Sequence, residues 1–278
     1  MPPYFLSFHP AIRMEENLPL FEPIDVAPVQ RLIQEAVGVI LPGYISPWRY
    51  REITRWACDW FPRLETRFTC VGKVAQIRLF RELDVRHPES RLFDSTPELL
   101  AFFRQWGSPW GYPLVLKGDR GGGGSTVFPI YSPADISRHC AHLSPHEPAL
   151  LQQWIVHGGR DLRVVIYGDF AVSYFRMGDG RFYNNVCRGG RLDHEAYPED
   201  QQRGIEAVQN FCQRSKIDIA GFDLMFPDDG PPVFVEINFH FGRKGLGGSA
   251  GHYRYVRRAV DHWIAHRLSK CGEARITT

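Results

Sequence analysis

Residues 217–238 read Ile217-Asp218-Ile219-Ala220-Gly221-Phe222-Asp223-Leu224-Met225-Phe226-Pro227-Asp228-Asp229-Gly230-Pro231-Pro232-Val233-Phe234-Val235-Glu236-Ile237-Asn238. Two apolar runs, 217–226 and 233–238, flank a turn-forming cluster and read as paired strands. Asp229-Gly230 is a favoured two-residue hairpin turn. A turn there pairs 228 with 231, so paired numbers sum to 459 and Asp223 falls opposite Glu236. Side chains so opposed have Cβ atoms ~4.5–5.5 Å apart, and like charges at that distance repel. Alternation along the second strand puts Phe234, Glu236 and Asn238 on one face and Val233, Val235 and Ile237 on the other. A hard divalent cation would relieve the repulsion, and two carboxylates with an amide oxygen suit Mg²⁺, with Mn²⁺ as an alternative. Asp223, Glu236 and Asn238 are therefore candidate metal ligands.

Working outward, a strand at 112–117 ends in Lys117 and runs through Gly118-Asp119-Arg120 into Gly121-Gly122-Gly123-Gly124-Ser125. Backbone N–H groups of such loops approach phosphates closely, with Lys117 supplying a point charge, although alone the loop reads equally as a flexible hairpin tip. This is neither a P-loop, since no lysine follows the glycines, nor a dinucleotide fingerprint, since a strand at 126–130 follows. Gln152-Gln153-Trp154-Ile155 closes a strand at 150–156. Asp161 and Arg163 share a face of the strand at 161–167, and Asn185-Val186-Cys187-Arg188-Gly189-Gly190 holds an arginine beside glycines. Together with Lys73, these cations would neutralise a polyphosphate.

The remaining pattern is mixed. Helices are expected at 27–36, 47–61, 73–83, 199–215 and 252–268. Ser95 opens another through Trp106 with a capping box, and Ser132-Pro133 opens one more. A strand is expected at 170–176. Trp48, Trp56 and Trp60 read as core. His139, Cys140, His142 and His146 read as a solvated helix end rather than a zinc site, because Pro145 interrupts the helix.

The chain has 278 residues, 44% hydrophobic and 23% charged, a soluble globular composition with room for one or two domains. Lys and Arg number 33 against 31 Asp and Glu, a balance that argues against a nucleic-acid partner. No apolar run reaches the ~18–20 residues of a membrane span. Six cysteines without a Cys-x-x-Cys pair read as free thiols. The N-terminus lacks the basic and apolar regions of a signal peptide, so a cytoplasmic location is expected.

In this order, the motifs resemble the ATP-grasp superfamily, above all RimK-like and glutathione-synthetase-like carboxylate–amine ligases. The resemblance covers about residues 73–268. It implies an α+β fold in which two α+β subdomains clamp ATP, residues 72–278, after a short α/β domain, residues 1–71. It implies Lys73 and Lys117 on phosphates, Gly121 to Ser125 as a lid, and Gln152, Gln153, Trp154 and Ile155 at the adenine. It further implies Asp161 at the ribose, Asn185 in the nucleotide site, and Arg163 and Arg188 on the transferring phosphoryl group. Mg²⁺ would sit on Asp223, Glu236 and Asn238. The implied reaction activates a carboxylate of a small molecule or peptide as an acyl phosphate for attack by an amine. An ATP-grasp kinase and a non-catalytic nucleotide-binding module are the alternatives. The chain departs from RimK-like members after Asn238, where Phe239-His240-Phe241-Gly242-Arg243-Lys244 replaces a small residue and Pro-Gly. Arg243 and Lys244 are expected just beyond the metal, where they either face an anionic group of the acceptor or form a solvated basic loop.

Overall fold

The computed structural model describes residues 3–178, 190–228 and 230–276. Three sheets organise the described residues. The first takes β1 (Phe5–Ser7), β2 (Glu16–Asn17), β3 (Gly38–Ile40) and β4 (Trp60–Phe61) in the order β2-β1-β3-β4, all parallel. Helix α1 (Ala27–Glu35) precedes β3, and α2 (Pro47–Thr54) links β3 to β4. The helix expected over 47–61 thus stops at Thr54, because Trp60 and Phe61 are drawn into the sheet beside Val39 and Ile40. Trp48 consequently points to solvent, 69% exposed, rather than into the core as expected. Helix α3 (Glu65–Thr69) follows.

The second sheet has the order β5-β8-β6-β7, from β5 (Ser90–Phe93), β6 (Leu114–Gly118), β7 (Val127–Ile130) and β8 (Ala149–Gln153), all antiparallel. Helices α5 (Thr96–Trp106) and α6 (Pro133–Cys140) cover one face. Ser95 caps α5 by accepting from the Glu98 amide, while Glu98 reaches the Asp94 amide at 2.8 Å, one residue beyond an ordinary capping box. Along β6 the alternation sends Leu114 and Leu116 into that core and leaves Val115 and Lys117 on the open face.

The third sheet has the order β11-β10-β9-β12-β13, from β9 (Arg160–Tyr167), β10 (Phe170–Met177), β11 (Arg191–Asp193), β12 (Ile219–Met225) and β13 (Val233–Asn238). Helices α4 (Gly72–Glu82) and α7 (Pro198–Ser215) pack on one face, through Ile77, Phe80, Val208 and Phe211 against Leu162, Val164, Phe222 and Leu224. Helix α8 (Gly248–Ile276) starts four residues before the expected 252. Its Val256, Ala259 and Val260 join Val165 and Tyr167 of the opposite face to Phe5, Ile40 and Phe61 of the first sheet. Among the described residues no helix is long and apolar enough to cross a membrane.

Helix α7 lies close to the third sheet. A Cβ added at Gly204 would stand 2.3 Å from Leu162 Cδ2 and 3.2 Å from Leu224 Cδ1, both fully buried. Alanine inside a helix ordinarily gains about 1 kcal/mol over glycine. Here overpacking outweighs that gain, and we expect Gly204→Ala to lower stability by about 1–3 kcal/mol in urea unfolding. Gly242→Ala, whose Cβ meets nothing within 4 Å, should stay within about 0.5 kcal/mol of the parent. A stabilised Gly204→Ala would mean that α7 stands further from the sheet.

Candidate functional site

The third sheet turns a row of charges toward the second. β12 pairs with β13 so that Asp223 faces Glu236, Phe222 faces Ile237 and Gly221 faces Asn238, the expected register. The register then slips by one, and Leu224 pairs with Phe234 and Met225 with Val233. Val235 is the extra residue of this bulge. Phe234 therefore joins the core with Ile237, not the face of Glu236 and Asn238 to which strict alternation assigned it. The bulge lets Val235 and Glu236 both line the cleft. The free edge of β13 is closed by side-chain amide bonds. Gln76 donates to the Ile237 carbonyl and accepts from its N–H, both at 2.8 Å.

β9 and β10 add the counter-charges. Arg163 lies opposite Asp223, and Arg176 opposite Asp161. Arg163 Nε reaches Asp223 Oδ1 at 2.5 Å and its Nη2 reaches Oδ2 at 3.1 Å. Arg176 bridges Asp161 Oδ1 at 2.5 Å and Asp223 Oδ2 at 2.9 Å. Asn238 Nδ2 donates to Asp223 Oδ2 at 3.3 Å. Asp161, Arg163, Arg176 and Asp223 are all buried. Burial works against the Asp223 charge, yet Arg163 and Arg176 hold its pKa below the ordinary carboxylate value. Burial likewise opposes the Arg176 charge, and Asp223 and Asp161 nevertheless carry its pKa above the ordinary value. Glu236 is pushed up, first by burial and then by Asp223, against the pull of Lys73 and Lys117.

Those two lysines come from the other side of the cleft. Lys117 is buried on β6, and burial pushes it down to about 8 despite Glu236. Lys73 stands in the first turn of α4, where burial also lowers its pKa. Its Nζ donates to the Gly121 carbonyl at 3.2 Å. Asp119, at the head of the glycine loop, accepts from the Val74 amide at 2.8 Å and its carbonyl accepts from the Lys73 amide at 3.0 Å. It thereby caps α4 and ties Lys73 to the loop. Gly72 makes room for it: φ is +83°, and a Cβ there would collide with the Asp119 carboxylate.

Between the sheets lies a cleft of about 900 Å³, open space at its mouth included. Its charged end is Lys73, Lys117, Asp161, Arg176, Asp223 and Glu236; its other end is an apolar slot with Val115, Trp154, Ile155, Met225 and Val235. Gln152 and Gln153 line it as β8 ends; Gln152 is buried and donates to Ser90 Oγ at 2.9 Å. Gly121 and Gly124 form part of the rim, and Gly122 and Ser125 sit in the same loop, joined by a backbone bond from Ser125 N to the Gly122 carbonyl at 3.2 Å. A second hollow of about 930 Å³ shares Gly124, Arg176, Asp223 and Glu236, and adds Gly123, Arg163, Asn238 and Lys244. Arg243, expected beside Lys244, opens onto a third hollow instead. Asn185 and Arg188 lie outside the described residues, as does Asp229 of the expected turn.

Arg176 and Asp119 are the members that sequence reading missed. The signal for Arg176 was present: an arginine in the apolar strand Tyr174-Phe175-Arg176, which the Gly168-Asp169 turn brings opposite Asp161. The histidines at 139 and 142 lean on Phe128, with His139 stacked at 4.7 Å, and Cys140 is buried in the second-sheet core. No group of three His, Cys, Asp or Glu side chains among the described residues is arranged to hold a metal. The set formed by Asp223, Glu236 and Asn238 counts two acids and an amide.

No family model matches the chain. It is 30% identical over 196 residues to beta-citrylglutamate synthase B of Danio rerio, covering 69% of this chain and 47% of that one. It is 28% identical over 196 residues to human N-acetylaspartylglutamate synthase A, covering 69% and 49%. The chain thus spans about half the length of the curated relatives it matches. Among solved structures, a RimK domain ATP-grasp protein from Sphaerobacter thermophilus aligns with a TM-score of 0.55 at 16% identity, covering 81% of each chain. A D-alanine–D-alanine ligase from Bacillus anthracis, complexed with ATP, aligns at 0.56 and 16% identity over 93% of this chain and 87% of that one.

Glu236 supplies a test of the electrostatics without any ligand. A carboxyl whose pKa is raised on folding contributes stability that is present below the unfolded value, ordinarily ~4.3, and lost as pH rises through the folded value. Glu236→Gln removes that loss. We expect the variant to melt higher than the parent at pH 7 and the gap to close toward pH 4, read by calorimetry. A variant less stable at pH 7 would show that Glu236 is already neutralised by Lys73 and Lys117.

Proposed function

We propose that this chain, which has the ATP-grasp fold, is an ATP-dependent ligase that activates a carboxylate as an acyl phosphate for attack by an amine or similar nucleophile. The carrying observation is the cleft: an apolar slot with Trp154 and Ile155 that ends in two buried lysines facing two opposed carboxylates. That arrangement suits a planar base joined to a polyphosphate. Residues 72–278 form the nucleotide-binding part in this reading, and residues 1–71 precede it. Cys58, Cys70, Cys140 and Cys212 are free thiols, which fits the reducing cytoplasm where ATP is made and used.

Gln152, Gln153, Trp154 and Ile155 take the base, opposite Met225. Lys73 and Lys117 take phosphate oxygens, and the loop from Gly121 to Ser125 closes over them with its amides. Asp161 is engaged by Arg176, so we assign it to positioning that arginine in preference to the ribose. Asn185 and Arg188 keep the roles given by resemblance. Asp223, Glu236 and Asn238 fit a magnesium ion by donor chemistry: two opposed carboxylates and a carboxamide, all able to present oxygen. When bound there, the ion would supply positive charge to the phosphate oxygens.

The acid substrate occupies the adjoining hollow. Its carboxylate oxygen attacks the γ-phosphorus, and the bond to the bridging oxygen breaks, leaving its electron pair on ADP. The amine nitrogen then adds to the acyl carbon, phosphate departs with the C–O electron pair, and the nitrogen loses a proton. Arg176 lines both hollows, Arg163 lines the second, and both are paired to Asp223; they stabilise the charge that develops on the phosphoryl and carbonyl oxygens. Phosphoryl transfer depends mainly on positioning and charge, so no side-chain nucleophile is needed.

Nucleotide binding is the first test. Mg·ADP at 100 times its dissociation constant should add about 2.7 kcal/mol of stability. Burial holds Lys117 near 8, and polyphosphate beside it restores the charged form. Binding at pH 8.5 should therefore take up protons, seen as a calorimetric enthalpy that varies with buffer ionisation heat. Lys117→Met should abolish that variation. A melt unmoved by saturating Mg·ADP would overturn the assignment of the cleft.

The chemistry is tested by hydroxylamine trapping across a panel of carboxylic acids. A ligase gives ATP-dependent hydroxamate with phosphate release, at least 100-fold reduced in Glu236→Gln. A stable phosphorylated product without hydroxamate would make the protein a kinase instead.

A further inference from the structure

Helix α2 turns one face inward and leaves the other uncovered. Tyr50 and Ile53 pack into the core around the first sheet, and Arg49 is buried beside them. Trp48, Arg51, Glu52 and Arg55 fall at i, i+3, i+4 and i+7, a single stripe along the outer face. Arg55 is the C-cap but keeps helical dihedrals, φ −59° and ψ −29°, so the stripe is continuous to its end. Trp48 at its head is 69% exposed.

The neighbouring surface adds apolar area and balanced charge. Arg49 Nε donates to the Leu20 carbonyl at 2.6 Å and its Nη2 donates to the Glu22 carbonyl. The segment between them is thereby tied to α2, and Phe21 stands out from it, 88% exposed. Val26 is also exposed, and a hollow of about 940 Å³, open space included, has Ile24, Asp25, Trp48 and Trp56 in its wall. Exposed apolar groups gathered in this way mark an interaction surface. The charges in the same wall are two acids, Asp25 and Glu52, and two bases, Arg51 and Arg55. Glu52 holds Arg49 at 2.5 Å, whereas Asp25, Arg51 and Arg55 have no ion pair among the described residues. Equal acids and bases suit neither a nucleic acid nor a strongly charged peptide. They suit a second copy of the same surface, provided that a two-fold rotation sets unlike groups against each other.

The order of residues meets that condition. Two antiparallel copies of α2, related by a two-fold axis between residues 51 and 52, oppose positions whose numbers sum to 103. Arg51 would then meet Glu52 of the second copy, and Trp48 would meet Arg55 of the second copy. Each contact occurs twice, giving two ion pairs at the centre and a cation–π pair at each end. Arg55 already stands 5.6 Å from the centre of its own Trp56 ring, so the incoming indole would enclose the guanidinium from the other side. We propose that this chain forms a two-fold dimer through α2, with Trp48 as its anchor. Phe21 and Val26 extend the apolar area toward the ~800 Å² per partner that a stable complex buries.

The test is the mass in solution, read by analytical ultracentrifugation over a concentration series. The parent should be a dimer. Trp48→Ala, at an exposed position, should weaken the dimer at least tenfold while the circular dichroism spectrum and melting of the dissociated chain stay those of a folded protein. Arg51→Glu sets two carboxylates against each other at both central contacts, and Glu52→Arg sets two guanidiniums there. Each variant alone should also dissociate at least tenfold more readily than the parent. Mixed in equal amounts they should associate again, because both central contacts of the mixed pair join an acid to a base. Glu52→Arg also removes the partner of Arg49, so Trp48→Ala and Arg51→Glu decide the matter if it does not fold. A parent that is monomeric at every concentration, or a dimer unmoved by Trp48→Ala and Arg51→Glu, would overturn the proposal. Folded charge variants that fail to recover on mixing would overturn the antiparallel register.

Discussion

Pairing of β12 with β13 holds two carboxylates face to face, Asp223 buried and Glu236 half-buried, and the surroundings of the cleft answer that one conflict. Cations reach the pair from four elements: Arg163 on β9, Arg176 on β10, Lys117 on β6 and Lys73 on α4. Each comes from a different strand or helix, so the charge balance depends on the order of both sheets. Removing one partner of a buried ion pair commonly costs about 3–5 kcal/mol, because the other charge is left uncompensated. The cleft is thus a place where folding energy and ligand chemistry are the same quantity. Among the described residues, Lys73, Lys117, Arg163 and Arg176 face the three acids Asp161, Asp223 and Glu236, and this surplus of positive charge favours an anionic guest.

Backbone detail delivers these side chains. The bulge at Val235 sends Phe234 inward while keeping Glu236 and Asn238 on the cleft face. Gln76 imitates a strand on the edge of β13 and fixes α4 against it. The same helix begins at Lys73, and its N-terminus is capped by Asp119 of the glycine loop. A shift of the loop is therefore felt by α4, and through Gln76 by the strand that carries Glu236. The N-terminal sheet is bound to the opposite face of the third sheet by α8, whose start also walls the third hollow.

Much of this was legible in residue order. The opposition of Asp223 and Glu236 followed from a turn and a period of two, and both hold at the acids. The slip toward the turn was not legible. Pro231 and Pro232 cannot donate to a ladder, so the pairing near them is set by tertiary packing of Phe234 against Phe80 and Phe211. The 47–61 helix failed for a similar reason, since Trp60 is claimed by the parallel sheet and by Tyr50. Arg176 was overlooked because its meaning comes only from its strand partner. Arg243 and Lys244 show the limit of spacing arguments most sharply: adjacent in sequence, they serve different hollows because the chain turns there into a short 3₁₀ segment, Lys244–Leu246.

The central claim is that the opposed acids are a cation site completed by a nucleotide. The most direct measurement is a crystal structure with Mn²⁺ and a non-hydrolysable ATP analogue, read at the manganese absorption edge. The account predicts an anomalous peak between the carboxylates of Asp223 and Glu236, within about 2.0–2.3 Å of their oxygens, with the base beside Trp154 and Ile155. A nucleotide bound without an ion there, and Asp223 still held by both Arg163 and Arg176, would contradict it.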